Sequence, residues 1–297
     1  MFTGFKELEL TGPDGLQLNI GHNLDSDHRD PSLPVLIFNY GLVCNIAHWT
    51  YQIPYFHDLG YKIVYHDYRF HYKSSSSESI DDLTFKNIAT DMNFLLNEIG
   101  VSQGVHFGHS MGVNTTLEFA RQYPEQVTGM ILISGTVLPP QDVLFDTNWM
   151  DILQPMLETL LEKYPKLYGS IWKTGHLNPL ATHLVHKGGF NTKKVPKDFV
   201  EYYLKKIGEL DPHVFFQLLK EMKNHDIVSS LEHIQTPALI MGGDKDQVIP
   251  NFLQNILRDN LPNSRLYIIK DGSHVPQADF PESVNERCEV FIETTRS

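Results

Sequence analysis

The chain has 297 residues, of which 41% are hydrophobic, and a formal net charge of −12. Nucleic acids and anionic membranes repel an acidic chain, so we expect neither as a partner. The length suits one large domain, or one domain that carries an insertion.

The N-terminal segment predicts a hairpin, and buried strands follow it along the chain. Residues 5–10 and 16–20 flank the turn sequence GPDG. Beyond a polar loop, six short apolar runs recur: VLIF at 35–38, IVY at 63–65, VHF at 105–107, MILI at 130–133, ALIM at 238–241 and LYII at 266–269. Continuous apolarity is typical of strands covered on both faces, as in a parallel sheet.

Helical segments alternate with these strands. Residues 83–99 carry apolar side chains at helical spacing and end before Gly100. The alternation predicts an α/β fold with a doubly wound, mostly parallel sheet. Between Val137 and about Asp226 the strands stop, and helical stretches replace them at 149–164, 196–210 and 212–224. We therefore predict a core formed by residues 1–136 and 227–297, with a helical insertion at 137–226.

The sequence GHSMG at residues 108–112 fits the pattern G-x-S-x-G, between a predicted strand and a predicted helix. A serine on such a sharp turn has strained backbone angles, and its hydroxyl stands above the sheet edge. Gly108 and Gly112 avoid side-chain clashes across the turn. The amide dipoles of the following helix favour an oxyanion at the same point. Ser110 is therefore the predicted nucleophile.

A serine hydroxyl needs a base, and the base needs an acid that orients it. His274 follows the last predicted strand, and a loop there can reach across the sheet edge to Ser110. Asp244 and Asp246 both follow the strand at 238–241. We favour Asp246 because it is nearer the turn that leads to Pro250 and the next helix. The chain order Ser, Asp, His is known for this set of residues.

These motifs resemble those of the α/β-hydrolase family, over nearly the whole chain. GHSMG resembles the nucleophile elbow of the family, GDKD at 243–246 its acid loop, and GSH at 272–274 its histidine loop. The resemblance implies an α/β-hydrolase fold whose helical insertion is a lid. It also implies an oxyanion hole formed by the backbone N–H groups of Leu42 and Met111. Dehalogenases and epoxide hydrolases of the family use aspartate at the elbow, so Ser110 disfavours both activities.

Two stretches depart from the family pattern. In NYGL at residues 39–42, Tyr40 stands where histidine is usual in the oxyanion loop. The stretch DYRFHYKS at 67–74 resembles the family's D-x-R-G-x-G-x-S, but Phe70 and Tyr72 replace both glycines. The first change affects how the oxyanion loop is braced, and the second adds two rings, which we expect to narrow the pocket mouth.

We therefore predict a serine hydrolase that cleaves a carboxylic ester of a small to medium apolar substrate through an acyl-enzyme. Two alternatives use the same triad, namely hydrolysis of a thioester and of a carbon–carbon bond. A third is a receptor that binds a ligand in the hydrolase pocket without turnover. We expect the substrate pocket to include Tyr40, Trp49, Trp149 and Val275.

Neither a metal nor another cofactor is predicted, because the 15 histidines are scattered without H-E-x-x-H or a Cys/His cluster. Cys44 and Cys288 are far apart, so no disulfide framework is predicted. Without an apolar run of about 18 residues or a signal-peptide pattern, we expect a cytoplasmic protein. The sequence does not specify an oligomeric state.

Overall fold

A central β-sheet organises the computed structural model, which describes residues 3–26, 30–138 and 149–296. In chain order, the strands of the described residues are β1 (Lys6–Thr11), β2 (Gln17–His22), β3 (Val35–Asn39), β4 (Lys62–His66), β5 (Gly104–His109), β6 (Val127–Ile133), β7 (Ala238–Gly243) and β8 (Ser264–Ile269). Their order across the sheet is β1-β2-β4-β3-β5-β6-β7-β8. The first two strands pair antiparallel and the other six run parallel. The predicted doubly wound, mostly parallel sheet is confirmed.

Helices cover both faces of this sheet. The helices of the described residues are α1 (Gln52–Asp58), α2 (Phe85–Glu98), α3 (Met111–Gln122), α4 (Trp149–Lys163), α5 (Pro165–Thr174), α6 (Pro179–Gly189), α7 (Lys197–Gly208), α8 (Pro212–Asn224), α9 (Phe252–Asn260), α10 (Pro276–Asp279) and α11 (Pro281–Thr294). Buried side chains of α2, α3 and α9 pack on one face of the sheet. Those of α1 and α11 pack on the other face. This two-sided burial explains the continuous apolar runs of the central strands.

Local sequence signals set the ends of the predicted elements. The hairpin expected at the N-terminus is present as β1 and β2. Helix α2 begins after Thr84, whose side chain accepts a hydrogen bond from the Asn87 amide at 3.1 Å. It ends before Gly100, which has the positive φ of 73° that favours glycine.

The described part of the stretch between β6 and β7 is mostly helical, as predicted. Its described residues form α4 to α8, and none of them joins the sheet. An amide at the start of α2, that of Phe85, donates to the Glu221 carboxylate of α8 at 3.0 Å, so the insertion contacts the core. The division into residues 1–136, 137–226 and 227–297 and the role as a lid stay predictions. Residues 139–148 of the insertion lie outside the described residues.

Two further observations concern the whole described chain. Cys44 and Cys288 are both buried and form no disulfide. In the described ranges, no helix has both the length and the apolarity that a membrane crossing requires.

Candidate active site

Ser110 lies on the turn between β5 and α3. Its backbone angles are φ 54° and ψ −122°, in a region that residues with a side chain rarely adopt. The Ser110 amide donates to the Ile133 carbonyl at 2.9 Å, which holds the turn against the end of β6. The strained strand-to-helix turn expected from the sequence is therefore present, and strain of this kind is common at functional sites.

The two glycines of the motif let three backbone segments approach each other. A Cβ atom on Gly108 would lie 2.5 Å from the Gly112 carbonyl oxygen. A Cβ atom on Gly112 would lie 2.5 Å from the carbonyl oxygen of Asn39, at the end of β3. Neither position accepts a side chain without displacing backbone, so glycine is required at both for the turn to close over the sheet edge.

The structure brings together the three residues predicted as a triad. His274 Nε2 lies 3.1 Å from Ser110 Oγ, and His274 Nδ1 lies 3.0 Å from Asp246 Oδ2. The side chains of His274 and Asp246 are 12% and 1% exposed. When Nδ1 donates its hydrogen to the carboxylate, Nε2 is left as the acceptor for the serine hydroxyl. This geometry suits activation of the hydroxyl by the imidazole.

Asp246 and Asp244 occupy different environments, although only one residue separates them. The second carboxylate oxygen of Asp246, Oδ1, accepts hydrogen bonds from the amides of Val248 and Ile249, both at 2.8 Å. Asp244 has a side chain that is 32% exposed and lies 3.8 Å from the Lys245 ammonium group. Of the two carboxylates, therefore, only that of Asp246 is hydrogen-bonded to His274 and held in place by backbone amides.

The acid loop and the histidine loop pack directly on each other. A Cβ atom on Gly243 would overlap the carbonyl group of Gly272. The Lys245 amide donates to the same Gly272 carbonyl at 2.8 Å. This close approach of two glycine-containing loops brings Asp246 and His274 together across 28 residues of chain.

Two further histidines lie beside His274, and the sequence motifs did not identify them. His109 Nε2 lies 2.8 Å from the His274 carbonyl oxygen; a carbonyl can only accept, so Nε2 carries the hydrogen. Burial holds the pKa of His109 well below its ordinary value. His48 packs edge-on against His109, with ring centres 4.4 Å apart. His109 occupies a variable position of the G-x-S-x-G pattern and His48 lies in no motif, so the sequence carried no signal for either.

The loop predicted to form the oxyanion hole lies beside the serine. A Cβ atom on Gly41 would be 3.2 Å from Ser110 Cβ, and Leu42 lines the same cavity as Ser110. The Met111 amide is the first of α3, where the helix itself supplies no acceptor. This arrangement suits the predicted pair of backbone donors, whose catalytic role stays a proposal.

A cavity of about 480 Å³ opens over Ser110 and His274. Its size is in the range typical of sites that bind small molecules. The walls that face the triad from the helical insertion are apolar. They come from α6, α7, α8 and the residue after α6, and they include Val185, Phe190, Leu204, Ile207 and Phe215. Within the described residues, no group of three or more His, Cys, Asp or Glu side chains is arranged to hold a metal.

Comparison with known proteins gives the family. A family profile described as the α/β-hydrolase fold matches residues 34–281, which is most of the chain. The chain belongs to the α/β-hydrolase family. The fold and the hydrolase class expected from the sequence are thereby confirmed.

Proteins similar to this α/β hydrolase are named for different activities. It is 22% identical over 286 residues to bifunctional epoxide hydrolase 2 of Sus scrofa, across 88% of this chain and 52% of that protein. The chain thus spans about half the length of the pig protein. It is 24% identical over 272 residues to the bifunctional esterase/perhydrolase DCH of Acinetobacter calcoaceticus, across 87% of this chain and 91% of that protein.

Among solved structures, a thermophilic esterase from Thermogutta terrifontis superposes with a TM-score of 0.76. The identity is 18%, and the match covers 98% of this chain and 100% of the esterase. At this identity the match shows the shared fold. Hydrolase activity is thus supported by the family, and the substrate must be argued from the site itself.

The expected pocket residues of this hydrolase do not all face the cavity. Tyr40 and Trp49 are wrong as pocket residues, because both are fully buried and neither is part of the cavity wall. Val275 is also absent from the wall and packs in a buried cluster with Phe190, which does line the cavity. The Trp149 side chain lies outside the described residues. Composition alone could not separate rings that face a cavity from rings that fill the core.

Tyr40 instead braces the oxyanion loop. Its hydroxyl accepts a hydrogen bond from the Tyr68 amide at 3.0 Å, and the Tyr68 hydroxyl donates to the Tyr40 carbonyl at 2.9 Å. The two rings lie 4.3 Å apart. This reciprocal pair of tyrosines supports the loop at the position where the family usually has a histidine.

Phe70 and Tyr72 retain a glycine-like backbone although they are not glycines. Their φ angles are 65° and 45°, in the left-handed region. Neither side chain lines the catalytic cavity, so these two rings do not narrow its mouth as expected. The Tyr72 hydroxyl donates instead toward the Lys206 carbonyl of α7 at 3.3 Å, so this side chain joins the core to the insertion.

Proposed function

We propose that this hydrolase cleaves carboxylic esters with a small to medium apolar part, through an acyl-enzyme formed on Ser110. The observation that carries the proposal is the run of contacts from Ser110 through His274 to Asp246, at 3.1 and 3.0 Å, beneath an apolar cavity. A serine, a base and an acid in this order form the recurring arrangement of serine hydrolases.

The proposed reaction begins when Ser110 Oγ attacks the ester carbonyl carbon. His274 Nε2 takes the hydroxyl proton, and the Asp246 carboxylate stabilises the resulting imidazolium. His274 then returns the proton to the alcohol oxygen as the C–O bond breaks. A water molecule, deprotonated by the same imidazole, attacks the acyl-enzyme and releases the carboxylic acid and the free serine.

Charge on the carbonyl oxygen develops during both attacks. The amides of Leu42 and Met111 are the proposed donors to this oxyanion, each contributing roughly 3 kcal/mol to transition-state stabilisation. The close approach of Gly41 to Ser110 and the position of Met111 at the start of α3 support this role. Because both donors are backbone groups, the proposal does not depend on the side chain of Tyr40.

The substrate class follows from the chemistry of the cavity wall. Aliphatic and aromatic side chains of the insertion face the serine, and an apolar acyl group would be desolvated there without loss of hydrogen bonds. The same triad could also serve thioester or carbon–carbon bond hydrolysis. A receptor without turnover is disfavoured, because all three triad side chains are in hydrogen-bonding contact.

A fluorophosphonate probe and a panel of p-nitrophenyl esters test this proposal. We expect covalent labelling at Ser110, located by peptide mapping, and hydrolysis by the wild type. Ser110→Ala should reduce hydrolysis to background, a loss on the order of 10⁴-fold or more. Labelling of another serine, or hydrolysis that survives in Ser110→Ala, would refute the assignment. Binding of esters without turnover by the wild type would favour the receptor.

A further inference from the structure

A second cavity, of about 630 Å³, adjoins the catalytic one. Gly188 and Phe190 line both cavities. The second cavity has a different chemistry, because four lysines line it. They are Lys187, Lys193, Lys194 and Lys245. We refer to this second cavity, with these four lysines, as the lysine groove.

The charge of the lysine groove is opposite to that of the protein as a whole. The chain has a net charge of −12, yet the groove wall carries four lysines against one carboxylate, that of Asp271. Among the described residues, no carboxylate lies within 4.0 Å of Lys187, Lys193 or Lys194, whereas the Lys245 ammonium lies 3.8 Å from the Asp244 carboxylate. The Lys194 ammonium lies 5.1 Å from the centre of the Phe280 ring, which also lines the groove. Lysines concentrated in a concave site attract anions strongly.

The groove is built next to the loops of the triad. Gln247 and Ser273 line it, and each is the chain neighbour of a triad residue. The loop of the insertion that carries Lys193 and Lys194 is fixed on this side, because Asn191 Nδ2 donates to the Asp271 carbonyl at 2.9 Å. The lysines are therefore held near the site of ester cleavage.

We propose that the lysine groove binds an anionic group, a phosphate or a carboxylate, in the alcohol part of the ester. This inference rests on the proposed ester hydrolysis and narrows its substrate class. The apolar cavity would hold the acyl part, from which a charged group is excluded by its desolvation cost. The alcohol part would then extend past Gly188 and Phe190 into the groove, where its anion meets the ammonium groups.

Three butanoate esters test the proposal. They are phenyl butanoate and its derivatives with a para phosphate or a para carboxylate, so the acyl group is constant. The measured quantity is the ratio of kcat/KM for each anionic ester to that for phenyl butanoate, at low ionic strength. In Lys193→Gln/Lys194→Gln we expect this ratio to fall by about fivefold or more, as for the loss of two partly solvated ion pairs. The intrinsic reactivity of each ester cancels when the ratio for the variant is compared with that for the wild type. The two anionic esters show whether the groove prefers a phosphate or a carboxylate.

A matched control is available on the same insertion. Lys163→Gln/Lys166→Gln removes the same charge from exposed lysines that do not line the groove. We expect its ratios to equal those of the wild type. Unchanged ratios in Lys193→Gln/Lys194→Gln would overturn the proposal. An equal fall in the control variant would also overturn it, because the change in net charge alone would then explain the effect.

A binding measurement separates this inference from the proposed activity. We expect phenyl phosphate to bind the wild-type protein in calorimetric titration and to bind Lys193→Gln/Lys194→Gln at least fivefold more weakly, with both affinities reduced by added salt. If none of the three esters were hydrolysed but phenyl phosphate bound in this way, the ester hydrolase assignment would fail and the anion site would stand. If phenyl butanoate were hydrolysed but phenyl phosphate did not bind, and the ratio for the carboxylate ester did not fall in Lys193→Gln/Lys194→Gln, the lysine groove proposal would be rejected.

Discussion

The Nε2 atom of His109 lies 2.8 Å from the carbonyl oxygen of His274. The residue that precedes the nucleophile in the chain thus donates a hydrogen bond to the backbone of the proposed base. Burial holds the pKa of His109 well below its ordinary value, so its ring is neutral and keeps this donor at neutral pH. The bond links the serine turn to the histidine loop, which indicates that His109 is a positioning residue for His274.

Removing this bond should impair catalysis more than binding. We expect His109→Ala to lower kcat for p-nitrophenyl butanoate by about tenfold, because the partly buried His274 carbonyl loses its donor, with little change in KM. His109→Gln keeps an N–H donor on a side chain of similar reach and should recover part of the rate. Steady-state kinetics on the three proteins measures both parameters. If glutamine and alanine gave the same kcat, the hydrogen bond would have no catalytic importance and His109 would act through packing alone.

The two neighbouring carboxylates give a second prediction. We expect Asp246→Asn to reduce kcat on the order of 10⁴-fold, because the amide favours the wrong tautomer of His274. Asp244→Asn should change kcat by less than about twofold, since its exposed side chain is bonded to no catalytic group. Hydrolysis of p-nitrophenyl butanoate by the two variants makes the comparison. A larger loss in Asp244→Asn would require another acid and a different loop conformation.

The sequence predicted Ser110 and His274 because each follows a recognisable buried strand. Parallel strands end at the same edge of a sheet, so β5 and β8 place the two residues at one edge, and the loop after β8 carries His274 past β7 and β6 to Ser110. The choice between Asp244 and Asp246 depended on the detailed path of one turn. The amides of Val248 and Ile249 that fix the Asp246 carboxylate belong to that turn, and no spacing rule encodes them.

The pocket residues were predicted less well, because only the tertiary structure brings them together. Trp49 and Tyr40 are large aromatic residues near the oxyanion loop, but both fill the core. The apolar wall comes instead from α6, α7 and α8, whose placement over the sheet is not encoded by any local motif. The lysine groove was missed for the same reason, because Lys245 lies more than 50 residues from Lys187, Lys193 and Lys194.

Buried histidines should make the protein sensitive to acid. His106, on β5, is fully buried against Phe119, and burial lowers its pKa to about 3. The unfolded chain binds a proton at this residue near pH 6.5, whereas the folded chain does so only near pH 3. The contribution of His106 to the free energy of unfolding is therefore fully present above pH 6.5 and is lost as the pH falls toward 3.

We predict that His106→Leu removes this contribution. Between about pH 5.5 and 4, the free energy of unfolding of the wild type should fall more steeply than that of the variant, by about 1.4 kcal/mol per pH unit. Urea unfolding at a series of pH values measures both slopes. His233→Leu, which removes an exposed histidine, serves as the control and should keep the wild-type slope. Equal slopes for His106→Leu and the wild type would mean that His106 is protonated in the folded state.

The wall of the catalytic cavity predicts the response to acyl chain length. Ile207 of α7 lines this cavity, so Ile207→Trp should fill part of its 480 Å³. We expect the ratio of kcat/KM for p-nitrophenyl octanoate to that for p-nitrophenyl acetate to fall by about tenfold or more, because the longer chain would lose apolar contacts or collide with the indole. Ile171→Trp makes the same substitution at an exposed position of α5 and should keep the wild-type ratio. If both variants kept that ratio, the acyl chain would bind elsewhere, and the cavity beneath α7 would not be the acyl site.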